Sequence, residues 1–316
     1  MNNTIVWPQK ATICEVGLRD GIQNEKKLLS IEEKLALLDA VVASGIKIVE
    51  IGAFVHPKAV PQMADTGEVA KRMKRVPGVE YRVLVPNLKG LERAHDAGMT
   101  KAKLTVSISE SHCLANFNQS PLQVMEGFKP CVEFAAKNGI AISGAMSSAW
   151  GCAWEGKIST AQIEKITRAF LDLGITELSL SDATGMANPR HIYEMGGYMR
   201  KAFPQVTWVL HLHNTRGMAM ACAVAALQAG ITILDGSFAG LGGCNFIPGA
   251  AGNVSTEDLI HMLHEMQVDT GVDLQKAMET GRMAQEMVGK TGGSYILQAG
   301  RCADLVKSKA QGQQNS

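Results

Sequence analysis

Aromatic residues, excess charge and long apolar runs are all scarce in this 316-residue chain. Only 5% of its residues are aromatic, and 31 basic against 30 acidic residues leave a formal net charge of +1. A chain without excess positive charge has no overall field that would attract nucleic acid or an anionic membrane. No apolar run reaches the roughly 20 residues that a membrane span needs. We therefore expect neither a nucleic-acid-binding protein nor a membrane protein.

Paired cysteines are also missing. The seven cysteines are an odd number, lie far apart and include no CxxC pair, which argues against a disulfide framework or a zinc knuckle. The N-terminal residues MNNTIVWPQKATI have neither the charged-then-apolar pattern of a signal peptide nor the Arg- and Ser-rich pattern of a transit peptide. A reducing cytoplasm is the expected location.

Apolar β-prone runs alternate with helical patterns along the chain. The predicted strands are residues 12–16, 47–52, 81–85, 103–107, 141–146, 177–181, 207–213 and 232–236. Stretches with i, i+3, i+4 apolar spacing lie between them, and glycines such as Gly45, Gly174 and Gly230 stand where these helices should end. Eight β-then-α units in series predict a parallel (β/α)8 TIM barrel, because a doubly wound sheet usually has fewer strands.

The C-terminal part of the chain continues beyond the eighth unit. A helical pattern over residues 274–290 predicts additional C-terminal helices. No low-complexity linker divides the chain, so residues 1–306 are predicted to form one catalytic domain. Residues 307–316 end in AQGQQNS and have the composition of a disordered tail.

A His-x-His pair, His211 and His213, ends the seventh predicted strand. Residues two apart on a strand face the same side. Both imidazoles should therefore face the barrel axis at the carboxyl ends of the strands, where TIM barrels carry their chemistry. Two convergent imidazoles provide half of a metal site, although two hydrogen-bonded structural histidines would give the same pattern.

The first two strands also end in charged residues. Asp20 follows strand one and offers a carboxylate ligand, while Arg19 beside it offers a fixed cation that can stabilise an oxyanion. A surface ion pair in a turn is the alternative for these two residues. Glu50 ends strand two and should also face the mouth, where it can orient a ligand or pair with Arg19.

A glycine-rich loop, residues 237–253 (SFAGLGGCNFIPGAAGN), follows strand eight. Its five glycines allow close approach of the backbone to a ligand, while their spacing does not match a dinucleotide fingerprint. Cys244 lies in this loop, where a thiol can donate or accept a proton, and Asn253 offers an amide oxygen. Asn253, Asp20 and the two histidines make a mixed nitrogen–oxygen set, which favours Mg²⁺ or Mn²⁺ over tetrahedral Zn²⁺.

Together these segments resemble the 3-hydroxy-3-methylglutaryl-CoA lyase family. The segments that carry the resemblance are residues 15–26 (EVGLRDGIQNEK), 54–65 (FVHPKAVPQMAD), 86–90 (PNLKG), 155–158 (EGKI), the His-x-His pair, residues 239–244 (AGLGGC) and residues 252–253 (GN). The resemblance implies a metal-dependent (β/α)8-barrel lyase that splits a carbon–carbon bond in a 3-hydroxyacyl-CoA. For 3-hydroxy-3-methylglutaryl-CoA the products would be acetyl-CoA and acetoacetate.

The resemblance also implies a role for each matching residue. The implied metal ligands are Asp20, His211, His213 and Asn253. The implied catalytic residues are Arg19, Cys244, Glu50 and Asp182. Arg19 would stabilise the enolate oxygen of the departing acetyl-CoA, Cys244 would protonate the carbanion, and Glu50 would support the site. The cofactor would be Mg²⁺ or Mn²⁺, the partner an acyl-CoA substrate, and the assembly a homo-oligomer, either dimer or tetramer.

The chain departs from the family pattern where the acyl group should bind. Strand five of the family usually carries an Arg and a Tyr around its Gly, but here these are Ser143 and Ala145. Arg216 follows the His-x-His pair in place of the family's aromatic residue. We predict substrate contacts from Gln23, Arg19, Ser143 and Arg216. The acyl chain should then differ from methylglutaryl, being larger or differently charged.

Other functions stay open at this point. A lyase of the same family could act on citramalyl-CoA or on a longer 3-substituted glutaryl-CoA. The same fold serves Claisen-type synthases that join acetyl-CoA to a 2-oxo acid, and metal-dependent pyruvate aldolases. The Gly-Gly-Cys element argues against a synthase, and the presence of all four implied ligands argues against a non-catalytic binding barrel.

Overall fold

The computed structural model of this chain describes residues 6–243, 249, 251–290 and 293–305. Its centre is a closed barrel of parallel strands that neighbour one another in chain order. The strands are β1 (Thr12–Glu15), β2 (Ile48–Ala53), β3 (Glu80–Val85), β4 (Lys101–Ser107), β5 (Ala141–Ser147), β6 (Glu177–Asp182), β7 (Thr207–Leu212) and β8 (Ile233–Gly236). The predicted (β/α)8 TIM barrel is confirmed.

Twelve α-helices have both ends within the described part of the chain, and residues 302–305 form a further helical segment at its end. They are α1 (Ile31–Ala43), α2 (Thr66–Arg72), α3 (Leu88–Asp96), α4 (Glu110–Phe117), α5 (Pro121–Gly127), α6 (Lys129–Lys137), α7 (Thr160–Asp172), α8 (Pro189–Ala202), α9 (Ala219–Ala229), α10 (Thr256–Glu265), α11 (Leu274–Val288) and α12 (Tyr295–Ala299). The last two are the additional C-terminal helices predicted above. Within the described ranges, no helix is long and apolar enough to cross a membrane.

The helix ends follow the signals in the sequence. Helix α1 begins at Ser30, whose side chain accepts a hydrogen bond from the Glu33 N–H while the Glu33 side chain accepts one from the Ser30 N–H. This reciprocal capping satisfies two N–H groups that the helix itself leaves without partners. Helix α9 ends at Gly230, whose φ of 84° is left-handed and suits glycine. These signals mark the residues at which α1 begins and α9 ends.

One element at the mouth of the barrel was not predicted. Strand β1 ends at Glu15, one residue earlier than expected, and residues Gly17–Gly21 form a π-helical turn. The Gly21 N–H reaches back to the Val16 carbonyl at 3.3 Å. Such wide turns are rare and often occur at functional sites. Here the turn carries Arg19 and Asp20.

The inside of the barrel is charged rather than apolar. Arg82 on β3 lies 2.5 Å from Glu177 on β6, and Lys103 on β4 lies 2.5 Å from Glu50 on β2. Neither pair of strands is adjacent in the barrel, so these side chains meet across its interior. The apolar core lies between the strands and the helices, whereas ion pairs cross the interior of the barrel.

The limits of the domain stay a prediction. Residues 306–316 lie outside the described part of the chain, and this range contains the boundary at residue 306 and the tail predicted at 307–316. Strand β7 ends at Leu212 rather than at His213. His213 instead forms a short bridge with Asn253 in the segment that follows β8.

Candidate active site and metal centre

Three side chains converge at the carboxyl end of the barrel. His211 Nε2 lies 3.2 Å from His213 Nε2, and Asp20 Oδ2 lies 3.8 Å from the first nitrogen and 3.4 Å from the second. Adjacent ligands of an octahedral ion with bonds of about 2.1 Å are about 3.0 Å apart. The three donor atoms are therefore close to the spacing of one face of an octahedron.

Asn253 completes this group because of the chain pairing around it. The Asn214 N–H donates to the Gly252 carbonyl at 2.9 Å, and the Val254 N–H donates to the Leu212 carbonyl at 3.0 Å. These bonds place Asn253 beside His213, and the Asn253 Nδ2 donates to Asp20 Oδ2 at 2.8 Å. The structure thus brings together all four residues that the sequence suggested as ligands.

The donor set fits a divalent cation. His211 Nδ1 lies 3.1 Å from Asp235 Oδ2. Burial acts to raise the pKa of Asp235, but Lys103 and His211 outweigh it and lower that pKa to about 2. An ionised Asp235 accepts a hydrogen bond from the Nδ1–H group of His211, which leaves the lone pair of Nε2 directed at Asp20 and His213. The site therefore offers two imidazole nitrogens and a carboxylate oxygen to one point.

Arg19 connects the candidate metal ligands to the buried charges inside the barrel. Its guanidinium forms one ion pair with Asp20 and another with Glu50. Burial acts to raise the pKa of Asp20, yet Arg19 and the two imidazoles hold it well below its usual range. The pKa of Glu50 is lowered in the same way, since Arg19 and Lys103 outweigh its burial. Both carboxylates are therefore ionised, and the pair with Arg19 is one of the two alternatives that the sequence offered for Glu50.

Two residues of this site were missed by the sequence analysis. Lys103 is 3% exposed, and its ammonium lies 2.5 Å from Glu50 Oε2 and 3.8 Å from Asp235 Oδ2. The available signals were the alternating polar residues of β4, among them Lys103, and an aspartate in the short, otherwise apolar β8. From the sequence alone, either residue could equally have been an exposed charge. Only the pairing of the strands shows that both side chains lie inside the barrel.

The other predicted residues lie around the mouth with different contacts. The Asp182 carboxylate accepts hydrogen bonds from Thr184 Oγ1 at 3.0 Å and from the Ala187 N–H at 2.9 Å. It thus organises the β6–α8 loop, while the Asp182 carbonyl accepts a bond from the His213 N–H at 3.1 Å. Gln23 is partly buried, two residues after the π-helical turn.

Ser143 and Arg216 occupy very different depths. Ser143 is buried in β5, paired in register with Lys103, and its hydroxyl has no hydrogen-bond partner within the described residues. Arg216 is exposed, and its Nη1 donates to the Thr184 carbonyl at 2.6 Å. A direct contact of either residue with substrate stays a prediction.

Buried carboxylates hold the start of the glycine-rich loop. Glu15 accepts hydrogen bonds from the Phe238 N–H at 3.1 Å and from Thr256 Oγ1 at 2.6 Å. Glu257 accepts one from the Ala239 N–H at 2.9 Å. Gly242 has a φ of 121°, and a Cβ there would collide with the amide of Asn253. Cys244, the predicted proton donor, lies outside the described residues.

A cavity of about 360 Å³ opens next to the ligand group. Its lining residues include Asn214, Asn253, Ser294, Tyr295 and Gln298. Helix α12 therefore forms part of the wall that leads to Asn253. A ligand that approaches the metal centre from this side would pass between the C-terminal helices and the loops of the mouth.

Comparison with known proteins agrees with this geometry. The family model described as HMGL-like matches residues 10–284. A hydroxymethylglutaryl-CoA lyase of Bacillus subtilis is 39% identical over 292 residues, covering 92% of this chain and 98% of that protein. The mitochondrial hydroxymethylglutaryl-CoA lyase of Homo sapiens is also 39% identical over 292 residues, covering 92% of this chain and 90% of that protein.

A solved structure is similar over almost its whole length. It is an HMG-CoA lyase from Acinetobacter baumannii in complex with coenzyme A and 3-methylmalate. The TM-score is 0.90 at 34% identity, and the match covers 95% of this chain and 98% of that chain.

Proposed function

The chain belongs to the HMGL-like family, and from this premise we propose that it is a divalent-metal-dependent carbon–carbon lyase acting on a 3-hydroxyacyl-CoA. With 3-hydroxy-3-methylglutaryl-CoA as substrate, the products are acetyl-CoA and acetoacetate. The observation that carries the proposal is the convergence of Asp20, His211 and His213 on one point at the barrel mouth, with Arg19 paired to Asp20. Relatives with this activity match nearly the whole chain.

Asp20, His211, His213 and Asn253 would hold the cation. Bound there, Mg²⁺ or Mn²⁺ would act as a Lewis acid that acidifies the substrate 3-hydroxyl. The mixed nitrogen–oxygen donor set suits these ions better than a tetrahedral thiophilic ion. The choice between the two metals is part of the proposal.

The residues around the cation account for the remaining steps. A general base accepts the hydroxyl proton, the C3–O bond becomes a carbonyl, and the C2–C3 bond breaks with its electrons passing to the acetyl-CoA enolate. Arg19, fixed by Glu50 and Asp20, places a permanent positive charge where the enolate oxygen develops. Cys244 would then deliver a proton to C2, which completes acetyl-CoA.

The identity of the acyl chain is the finer part of the proposal. The Acinetobacter baumannii relative binds coenzyme A and 3-methylmalate, which supports an acyl-CoA substrate with a hydroxylated, carboxylate-bearing acyl group. Ser143 and Ala145 leave more space in β5 than the Arg and Tyr usual in the family. We therefore include citramalyl-CoA and longer 3-substituted glutaryl-CoA esters among the candidate substrates, with Gln23 and Arg216 as candidate contacts.

Two further properties belong to the proposal. A cytoplasmic location fits the free thiols of all the cysteines in the described ranges. A homo-oligomer, dimer or tetramer, is expected and can be measured by light scattering on the purified full chain.

The decisive experiment measures acetyl-CoA release from a panel of 3-hydroxyacyl-CoA esters. The assay compares wild type with Cys244→Ser and His213→Ala, with Mg²⁺ or Mn²⁺ present. Release by wild type that collapses in both variants supports the lyase. Release that survives in both variants, or no release from any ester, contradicts it. A preferred substrate other than 3-hydroxy-3-methylglutaryl-CoA would support the altered acyl pocket.

A further inference from the structure

We propose that Lys103 is a positioning residue for the metal centre, because its ammonium holds Asp235 and Glu50 in place and these carboxylates orient His211 and Arg19. The inference rests on the proposed function only in taking Asp20, His211 and His213 as metal ligands. Lys103 itself touches none of these three side chains in the described contacts.

The contacts form two short series of ion pairs and hydrogen bonds, and both series start at the ammonium group of Lys103. In the first, Lys103 Nζ lies 3.8 Å from Asp235 Oδ2, and the same oxygen lies 3.1 Å from His211 Nδ1. In the second, Lys103 Nζ lies 2.5 Å from Glu50 Oε2, and Glu50 Oε1 pairs with Arg19. One buried cation therefore supports both a metal ligand and the proposed enolate-stabilising residue.

The burial of these groups makes the charge of Lys103 necessary. Glu50 is fully buried and Asp235 is 3% exposed, so neither carboxylate has solvent to stabilise its charge. Burial would lower the pKa of Lys103, but Glu50 and Asp235 outweigh it and raise that pKa above its ordinary value. Without this ammonium, the two ionised carboxylates would share the barrel interior with Arg19, which pairs with Glu50, and with Arg82.

The expected consequence is a change in metal affinity. Without its counterion, the Asp235 carboxylate is no longer fixed in position and holds His211 Nδ1 less firmly. The His211 ring can then rotate away from the point that it shares with Asp20 and His213, which removes a ligand. Changes to groups that support metal ligands typically weaken metal binding about 10- to 100-fold.

The chain supplies a matched control two residues away. Lys101 lies on the same face of β4, pairs with Glu177 at 2.7 Å, and its side chain is 11% exposed. Its partner Glu177 binds Arg82 rather than any residue of the metal centre. Lys101→Met therefore removes an interior ammonium without disturbing either series of contacts that starts at Lys103.

The experiment titrates Mn²⁺ into metal-free protein by calorimetry, without substrate. We expect Lys103→Met to weaken Mn²⁺ binding at least tenfold, Lys103→Arg to restore most of it, and Lys101→Met to stay within about twofold of wild type. Lys103→Gln, which keeps a polar side chain, provides the same test if Lys103→Met does not fold. Mn²⁺ affinity equal to wild type in the folded Lys103 variants would overturn the inference, whether or not the protein cleaves any acyl-CoA.

A different observation, on the outer surface, carries a second inference. His261 and Glu265 lie four residues apart on α10, and so face the same side of the helix. Cys302, beyond α12, brings its Sγ to 3.5 Å from His261 Nε2. One donor atom from each of the three residues lies within 4.8 Å of the other two.

The geometry points to a second metal site here, one that takes a thiophilic divalent ion of the Zn²⁺ type. In a tetrahedral site with a Zn–S bond of about 2.3 Å and a Zn–N bond of about 2.1 Å, these two ligands are about 3.6 Å apart. The observed separation of Sγ and Nε2 matches that value. A Cys-His-Glu set includes a thiolate, which the mixed nitrogen–oxygen set at the mouth lacks, so the two sites should select different ions.

Occupation of this site would tie the C-terminal segment to α10. The first turn of α10 holds the glycine-rich loop through Glu257, and α12 lines the cavity beside Asn253. An ion bound by His261, Glu265 and Cys302 would therefore fix a wall of the entrance from outside, at a distance from the catalytic cation.

Cobalt(II) provides the probe, because a thiolate ligand gives it a charge-transfer band that nitrogen and oxygen ligands do not. The full chain, the His211→Ala variant, Cys302→Ser and Cys244→Ser are titrated with Co²⁺, and Zn²⁺ is then added to displace it. A band in wild type and His211→Ala that is lost in Cys302→Ser supports the site. No thiolate band in wild type, or a band lost only in Cys244→Ser, overturns it.

Discussion

His211 and Asp235 face each other on neighbouring strands β7 and β8, with His211 Nδ1 at 3.1 Å from Asp235 Oδ2. This contact sets the tautomer of His211 and directs its other nitrogen into the group formed with Asp20 and His213. The arrangement of the candidate ligands thus depends on a buried residue that is not itself one of them.

Asp235→Asn tests this relationship directly. Asparagine keeps the shape of aspartate but can present an N–H to His211 Nδ1, which would favour the wrong tautomer. We expect Mn²⁺ affinity to fall about 10- to 100-fold, with a parallel loss of acetyl-CoA release at limiting metal. Calorimetry on metal-free protein measures the first effect. Wild-type affinity in a folded Asp235→Asn variant would contradict the role given to Asp235.

Arg19→Lys tests the need for a guanidinium. A single ammonium cannot pair with Asp20 and Glu50 and still point a donor at an enolate oxygen. We expect kcat/KM to fall about 10²- to 10³-fold, the range seen when one oxyanion-stabilising donor is lost. The matched control is Arg190→Lys, an exposed pair with Glu194 on α8, which should keep wild-type kinetics. Equal kinetics for both variants would exclude a catalytic role for Arg19.

Glu15 should make the stability of the protein depend on pH. Burial raises the pKa of Glu15 from its usual 4.5 to about 8. Between these values the folded protein holds a proton that the unfolded chain releases, so the free energy of unfolding falls as the pH rises, by at most about 1.4 kcal/mol per pH unit.

The difference between wild type and Glu15→Gln isolates this contribution from other titrating groups. Urea unfolding at pH 5, 6, 7 and 8 should give a steeper decline in wild type than in the variant. Parallel curves for the two proteins would show that Glu15 has the same pKa in the folded and unfolded states.

Asp258 should hold the C-terminal wall of the cavity. Its buried carboxylate accepts hydrogen bonds from Ser294 Oγ at 3.1 Å and from the N–H groups of Tyr295 and Ile296 at 2.9 Å each. Asp258→Ala leaves these donors without partners and should lower the free energy of unfolding by about 1–3 kcal/mol. If the acyl-CoA occupies the cavity beside Asn253, its KM should also rise, since Tyr295 lines that cavity. An unchanged KM in a destabilised variant would restrict Asp258 to a structural role.

Much of the fold was predictable because its signals are local. The strands follow apolar, β-prone runs, and the helix ends follow capping residues such as Ser30 and Gly230, each read within a few positions. The His-x-His pair was also predictable, since the two-residue period of a strand alone puts His211 and His213 on one face.

The remaining features of the fold and of the candidate site depend on contacts between residues that are far apart in the sequence. Lys103 and Asp235 acquire a role only when closure of the barrel brings β4, β2 and β8 into contact, and no pattern within one strand reports that. The π-helical turn under Asp20 arises from backbone bonds to Val16, which the residue types do not specify. The roles predicted for the site residues, including those of Asp182 and Cys244, stay predictions.

The register between β4 and β5 changes how this chain should be compared with its relatives. The family resemblance implies an arginine at the position of Ser143, so a comparison position by position would record a lost cation there. In the barrel, however, Lys103 is the direct neighbour of Ser143 in the same layer. Surveys of this family should therefore compare whole rings of residues, which would count the ammonium of Lys103 together with Ser143, rather than single alignment positions.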